Sequence, residues 1–189
     1  MSADLNVLCS GYAAERVAST VVLVRDEGAV IVVDDPGMVA SRAQILGPLE
    51  RLGVSQDEVS DVIFSHHHPD HTLNAALFTR ARFHDFWAIY AGDVWTERSA
   101  DGFQLSPSVR LMTTPGHTAQ DITTLVTTGD GLVACTHMWW SSEGPAIDPL
   151  AEDQEMLERS RARLLALEPA IIIPGHGTPF LPSELAPGA

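Results

Sequence analysis

The amino-acid sequence predicts a single α/β domain. Short apolar stretches typical of strands alternate along the 189 residues with segments of helical periodicity. No linker-like change in composition and no internal repeat divides the chain, and its length suits one domain with a substantial core. We therefore expect the domain to span residues 1–180, followed by a loose Pro/Gly-rich tail over residues 181–189.

The predicted strands are short stretches rich in branched and aromatic residues, bounded by turn residues. Tight turns join two pairs of them, at Asp26-Glu27-Gly28 and at Gly129-Asp130-Gly131. The predicted strands cover residues 5–8, 20–25, 29–33, 62–65, 82–90, 109–112, 122–126, 132–136 and 170–173.

Three segments have apolar residues at helical spacing and predict helices. The first covers about residues 39–52 and contains Pro48, which is expected to bend or split it. The others cover residues 72–79 and 150–167, of which the last has the strongest helical pattern. Between the first helix and the next strand, residues 55–58 read Ser-Gln-Asp-Glu and predict a capping box that begins one short helical turn.

Residues 66–71 read His-His-His-Pro-Asp-His directly after the predicted strand over residues 62–65. Imidazole and carboxylate groups are costly to bury unpaired, so packing does not explain this crowding. The junction of a strand and a polar loop is where a rigid scaffold usually presents catalytic groups. The run therefore predicts a metal site.

Three further histidines each follow a predicted strand, namely His117, His137 and His176. Four strands thus deliver ligand-type side chains from one end, and only His84 of the eight histidines has no place in this arrangement. Scattered surface histidines are the less favoured alternative. Nitrogen ligands with one or two carboxylates favour zinc, although iron and manganese accept similar sets.

The histidine pattern resembles the metallo-β-lactamase superfamily. Within that family, residues 152–180 are most similar to the group named metallo-β-lactamase domain-containing protein 1. The resemblance implies a four-layer αββα sandwich with the site at one sheet edge. Residues 32–37 resemble the early strand-end Asp motif, in which Asp34 would organise loops or hold a ligand histidine. The family motif His-x-His-x-Asp-His falls on His66, His68, Asp70 and His71, and the later family histidines match His117 and His176.

The resemblance also implies how the ligands are shared between two metal ions. One ion would be held by His66, His68 and His117, and the second by Asp70, His71 and His176. The chain departs from the family where a bridging Asp normally follows the strand before the last helix, because residues 134–137 read Ala-Cys-Thr-His there. His137 is the candidate substitute, but a neutral imidazole has one free lone pair and does not bridge two ions as a carboxylate does. One or two zinc ions are therefore expected.

The implied reaction is hydrolysis by a metal-bound hydroxide, which a metal with an open position makes available at neutral pH. Asp70 would orient this hydroxide and pass on its proton. The expected substrate is a small ester, thioester or lactone. Two alternatives remain open: RNA or phosphodiester cleavage, as ascribed to the domain-containing protein 1 group, and a mononuclear iron dioxygenase acting on persulfides, which the missing bridging carboxylate favours.

Net charge bears on the partners. The chain carries 25 acidic residues against 11 basic ones, for a formal net charge of −14. This field repels polyanions, so a small-molecule substrate is expected and a nucleic acid is disfavoured. Arg159, Arg161 and Arg163 form the one dense basic group, on a predicted helix where Glu residues offset them.

No secretion-type N-terminal segment and no long apolar run is visible, so we expect a cytoplasmic protein that does not contact membranes.

Three other features leave alternatives open. Cys9 and Cys135 are too few for a disulfide framework, and a buried core thiol is the preferred interpretation of Cys135. His67 occupies the variable position of the motif and is expected to point away from the ligands. Residues 138–140, Met-Trp-Trp, would form an aromatic wall of the substrate pocket, a contact in a homodimer or a packed corner.

Overall fold

The computed structural model describes residues 2–34 and 41–186, and in them two β-sheets pack face to face between two helices. The helices are α1 (Ala43–Arg51) and α2 (Gln154–Leu165). The strands are β1 (Asp4–Cys9), β2 (Tyr12–Ala13), β3 (Val17–Ala18), β4 (Val21–Asp26), β5 (Ala29–Val33), β6 (Asp61–Ile63), β7 (Arg82–His84), β8 (Ala88–Ala91), β9 (Val94–Glu97), β10 (Gln104–Ser106), β11 (Val109–Thr113), β12 (Ile122–Thr128), β13 (Gly131–Thr136) and β14 (Ile171–Pro174).

The first sheet has the strand order β1-β4-β5-β6-β7-β8-β9, and the second has the order β10-β11-β12-β13-β14. Strands β5, β6 and β7 are parallel to one another, and β13 is parallel to β14; the other pairs within the two sheets are antiparallel. Strands β2 and β3 form a separate small hairpin.

Alternation along the strands divides the apolar residues into three layers. In β4, Val22 and Val24 face the second sheet, whereas Val21 and Leu23 pack in the layer that contains α1. Helix α2 covers the outer face of the second sheet, where its Leu157 packs with residues of β11, β13 and β14. Because both faces of the central strands are buried, these strands read as continuous apolar runs. The expected αββα sandwich is confirmed.

The strand predictions within the two sheets hold with small shifts, but residues 82–90 form two strands rather than one. The Asp85 carboxylate accepts hydrogen bonds from the backbone N–H groups of Trp87 and Ala88, both at 2.8 Å. Such a side-chain bond to the backbone stabilises a turn, and it separates β7 from β8. Strands β2, β3, β9 and β10 were not predicted, because two to four residues are too few to establish a period.

The helix predictions need more correction. Residues 72–79 do not form a helix; they contain one 3₁₀ turn, Ala75–Leu77, since so short a segment gains few helical hydrogen bonds. Helix α1 begins at Ala43 and passes through Pro48 without splitting, and the expected start at residues 39–40 lies outside the described residues. Helix α2 begins later than predicted because Asp153 caps it, accepting from the Met156 N–H at 2.9 Å.

Two shorter segments complete the fold. The capping box at residues 55–58 is present, with the Glu58 carboxylate accepting from the Ser55 N–H at 2.8 Å. Residues 181–186, which the composition predicts to be loose, include a 3₁₀ turn, and the Ala186 N–H donates to the Ser142 carbonyl at 3.0 Å. Residues 187–189 lie outside the described residues.

Candidate metal centre

The predicted ligands meet because their strands end at one edge of the sandwich. Strand β6 leads into the run 66–71, β11 leads to the loop of His117, and β13 and β14 lead directly to His137 and His176. The carboxyl ends of parallel neighbours lie at the same edge of a sheet, which brings His137 next to His176. Five of the six histidines are buried, and His68 is half-buried. The structure brings together His66, His68, Asp70, His71, His117, His137 and His176.

The first part of the cluster, which we call the open set, consists of His66, His68 and His117. The Nδ1 atom of His68 lies 2.9 Å from Nε2 of His66 and 3.1 Å from Nε2 of His117. Nitrogens that bind one zinc ion tetrahedrally at about 2.0–2.1 Å lie about 3.3 Å apart. Three imidazole nitrogens that converge at this spacing have the arrangement of ligands to one ion.

We call Asp70, His71, His137 and His176 the closed set; His137 also lies within reach of His66 and His117 of the open set. The Nε2 atoms of His137 and His176 are 3.0 Å apart, and Oδ2 of Asp70 lies 3.5 Å from Nε2 of His71 and 3.6 Å from Nε2 of His176. Nε2 of His71 is buried and has no hydrogen-bond partner among the described residues. An unpartnered buried nitrogen is costly, and a bound metal ion would satisfy it. This set therefore also fits a metal.

Most rings are oriented by a bond from the nitrogen that faces away from the cluster. Nδ1 of His117 lies 2.7 Å from a carboxylate oxygen of Asp148, and Nδ1 of His176 lies 3.0 Å from the Ala18 carbonyl oxygen. Oγ of Ser65 lies 2.9 Å from Nδ1 of His66 and 3.5 Å from Nδ1 of His71, and the Ser65 N–H donates to Asp34. Such partners fix the ring and direct the other nitrogen at a metal.

Burial also keeps the rings in the form that binds metals. Burial, followed by repulsion from the neighbouring histidines, lowers the pKa of His66 and of His137 well below the usual value. The same causes lower the pKa of His68 and His176. Since a protonated imidazole has no lone pair to donate, a lowered pKa favours coordination at neutral pH.

A cavity of about 300 Å³ opens onto the cluster. Both sets line it, the open set through His68 and His117 and the closed set through Asp70, His137 and His176. The rest of the wall is apolar and consists of Ala13, Ala14, Val17, Trp140 and Leu150. Of the three residues 138–140, only Trp140 lines this cavity, because Met138 and Trp139 pack in the layer beneath α2.

Comparison with known proteins identifies the family. Residues 14–110, just over half of the chain, match the model of the metallo-beta-lactamase superfamily. A Xenopus laevis protein named metallo-beta-lactamase domain-containing protein 1 is 32% identical over 197 residues, covering 94% of this chain and 81% of the relative. The chain belongs to the metallo-beta-lactamase superfamily. The human protein of the same name is 33% identical over 155 residues, covering 77% of this chain and 58% of the relative.

Solved metallo-beta-lactamase folds agree with the architecture. A Thermotoga maritima protein of this type superposes with a TM-score of 0.76 at 21% identity, covering 96% of this chain and 100% of the other. An N-acyl homoserine lactone hydrolase, with its product bound at the catalytic metal centre, superposes with a TM-score of 0.69 at 18% identity, covering 93% and 92% of the two chains. The superfamily includes metal-dependent hydrolases, and this chain is an enzyme of the superfamily.

The remaining polar residues lie outside the cluster. Nε2 of His67 lies 3.2 Å from the Asp85 carboxylate, and the His67 ring contacts Trp87. His84 is buried elsewhere, with Nε2 at 2.7 Å from Asp61. Burial raises the pKa of the Cys135 thiol, which lies in the core between the sheets. Cys135 is therefore an inert core residue.

Two acidic residues beside the cluster were not anticipated. Asp148 orients His117, and Asp121 lies 4.0 Å from Nδ1 of His66 while accepting two hydrogen bonds from Thr118. Burial raises the pKa of Asp121 to about 6, against the effect of those hydrogen bonds.

Among the described residues, no helix combines the length and the apolar composition that crossing a bilayer requires.

Proposed function

We propose that this protein hydrolyses a small uncharged ester, thioester or lactone, with zinc held by the histidine cluster. The cavity over the cluster is the observation that carries this proposal. Apart from the ligands its wall is apolar, and none of the described residues that line it is an arginine. A substrate that enters exchanges water for alkyl and aromatic contacts, which favours an uncharged group. The volume of about 300 Å³ lies at the lower end for small-molecule pockets and suits a small acyl compound.

The residues of the cluster would have two roles, metal binding and proton transfer. A divalent ion with an open position lowers the pKa of a water molecule toward about 7 and polarises a carbonyl oxygen. The open set would hold one ion and the closed set a second. Asp70 is the carboxylate among the described residues that line the cavity, and its side chain is 16% exposed. It is therefore our candidate to accept the proton of the attacking water and return it to the leaving group.

The one dense basic group does not favour a nuclease, because its guanidinium groups already have partners. Arg161 donates to three backbone carbonyl oxygens, those of Met138, Pro145 and Ala146, at 2.7–2.9 Å. Arg159 pairs with an acidic residue one helical turn away, and Arg163 lies 3.8 Å from the Asp101 carboxylate. With the net charge of −14, these pairs leave little to attract a polyphosphate chain.

A second candidate function, that of a dioxygenase, follows from His137, which lies where the family usually has a bridging carboxylate. A site that binds one iron ion through neutral nitrogens would suit dioxygen chemistry on a persulfide substrate. Elemental analysis and oxygen uptake separate the two candidates. Zinc with no oxygen uptake supports the hydrolase, whereas one iron per chain with persulfide-dependent oxygen uptake supports the dioxygenase.

The test of the hydrolase is a matched panel of substrates. Zinc-loaded protein is assayed with neutral esters, thioesters and acyl homoserine lactones, with anionic esters of the same chain length, and with RNA. We expect kcat/KM to be at least about tenfold higher for a neutral substrate than for its anionic counterpart, because away from the metal ligands none of the described residues of the wall has a cationic side chain to pair with an anion. RNA cleavage without turnover of any acyl substrate would overturn the proposal.

Two variants connect the activity with the cluster. Asp70→Asn should lower kcat by about 10²- to 10⁴-fold, the usual contribution of a general base. His67→Ala is the matched control, because His67 belongs to the same run but bonds to Asp85 outside the cluster. A fully active Asp70→Asn variant would refute the role of that carboxylate.

A further inference from the structure

We infer that the two sets of the cluster hold their metal ions with different numbers of protein ligands and therefore with different strength. His137 completes a closed set of four protein ligands with Asp70, His71 and His176. The open set of His66, His68 and His117 supplies only three, so its ion alone has a position for substrate. This inference shares one assumption with the proposed function, namely that the cluster binds metal ions.

The ring of His137 lies beside both sets, with its centroid 4.2 Å from that of His117 and 4.4 Å from that of His66, but its shortest nitrogen contact is with the closed set. Its Nε2 lies 3.0 Å from Nε2 of His176, close to the separation of two nitrogens that share one ion. Each imidazole nitrogen has a single lone pair, so Nε2 of His137 serves one ion and does not join two as a carboxylate can. Nε2 of His137 would therefore not be shared between the two ions.

The number of ligands sets the difference between the sets. Zinc sites that stabilise a fold have four protein ligands, whereas catalytic sites have three and leave one position open. The closed set offers three imidazole nitrogens and a carboxylate oxygen, and the open set offers three nitrogens. We expect the closed set to retain its ion more strongly, because one more protein bond must break before that ion leaves.

Gly175 is the residue that positions His137. A Cβ atom at residue 175 would collide with Cδ2 of the His137 ring. The backbone at Gly175 is held on both sides, since its N–H donates to the Trp139 carbonyl at 3.2 Å and its carbonyl accepts from the Thr20 N–H at 2.7 Å. Nδ1 of His137 has no hydrogen-bond partner among the described residues, so packing against Gly175 takes the place of an orienting bond.

The inference predicts that the ions leave in two steps. Protein loaded with two equivalents of zinc is equilibrated with increasing chelator, separated from it, and analysed for zinc per chain. For the wild type we expect one zinc to leave first and the second to persist to at least about tenfold higher chelator. His68→Ala, which lacks a ligand of the open set, should lose the first zinc and keep the persistent one.

Substitutions in and beside the closed set should have the opposite effect. His137→Ala removes a ligand and Gly175→Ala displaces the same ring, so in both variants the persistent zinc should leave as readily as the first. His67→Ala is the control and should match the wild type. Circular dichroism and the unfolding midpoint of the metal-free variants establish that each is folded.

Three results would overturn the inference. They are the release of both zinc ions in one step from the wild type, the binding of only one zinc per chain, and the persistence of the second zinc in the folded His137→Ala variant. The proposed function fails separately, if the zinc ions leave in two steps but the loaded protein hydrolyses no acyl substrate.

Discussion

Thr20 connects the β2–β3 hairpin with the loop that carries His176, and its hydroxyl offers the clearest test of how the site is supported. The hydroxyl oxygen accepts from the N–H groups of Gly11 and Gly177, both at 3.0 Å, and donates to the Gly177 carbonyl at 2.9 Å. The side chain is buried. Thr20→Val keeps the shape of the side chain and removes all three bonds.

The expected cost follows from those three bonds. A net contribution of about 1 kcal/mol for each gives a loss of about 3 kcal/mol in the free energy of unfolding. Urea unfolding of the metal-free protein measures this loss directly, because it separates the support of the loop from metal binding. Thr20→Ser, which retains the hydroxyl, should recover most of the loss.

A matched control lies on the exposed strand β9, where Thr96 makes no side-chain hydrogen bond within the described part of the chain. Thr96→Val should change the free energy of unfolding by less than about 0.5 kcal/mol. If Thr20→Val also costs less than about 1 kcal/mol, the three bonds do not hold the loop and the account of its support is refuted.

Three further predictions concern other parts of the molecule. Asp148→Asn weakens the partner of His117, so zinc affinity should fall by about 10- to 100-fold in a chelator competition assay. Leu157→Ala opens a cavity beneath α2 and should cost about 3 kcal/mol in urea unfolding. Burial opposes ionisation of Asp61, but bonds from His84 and Ser60 lower its pKa. The stabilisation from Asp61 is thus present above pH about 4 and lost as the pH falls below it, and Asp61→Asn should flatten that part of the urea midpoint's pH profile.

Much of the cluster could be predicted from the sequence because each ligand lies at the end of an apolar strand. Strand ends at one sheet edge are close in space, so His66, His117, His137 and His176 could be placed together before any coordinates were known. The position of Asp148 could not be predicted in this way. It lies in an irregular segment 31 residues from its partner His117, and neither periodicity nor spacing in the sequence indicates such a contact.

The errors in secondary structure have a common physical cause. The segment 72–79 has apolar residues that suit a helix, but Leu77 and Phe78 are buried through a single 3₁₀ turn. The β2–β3 hairpin is too short to show a strand period, yet it supplies Val17 to the cavity wall. Local pattern predicts long elements well, whereas short ones depend on tertiary contacts.

The charge of the centre and the charge of the protein act at different ranges. The field of the whole chain, with its net charge of −14, repels anions as they approach. Asp70 is the one carboxylate of the cluster that lines the cavity, whereas Asp34, Asp121 and Asp148 lie beside ring nitrogens that face away from it, so two divalent ions would form a centre whose positive charge faces the cavity. Such a centre stabilises negative charge that develops only at the reacting oxygen. A neutral acyl substrate satisfies both conditions, because it enters without a charge and acquires one in the transition state. An anionic ester of equal size should therefore be a poorer substrate at low ionic strength, and the difference should shrink as salt screens the long-range field.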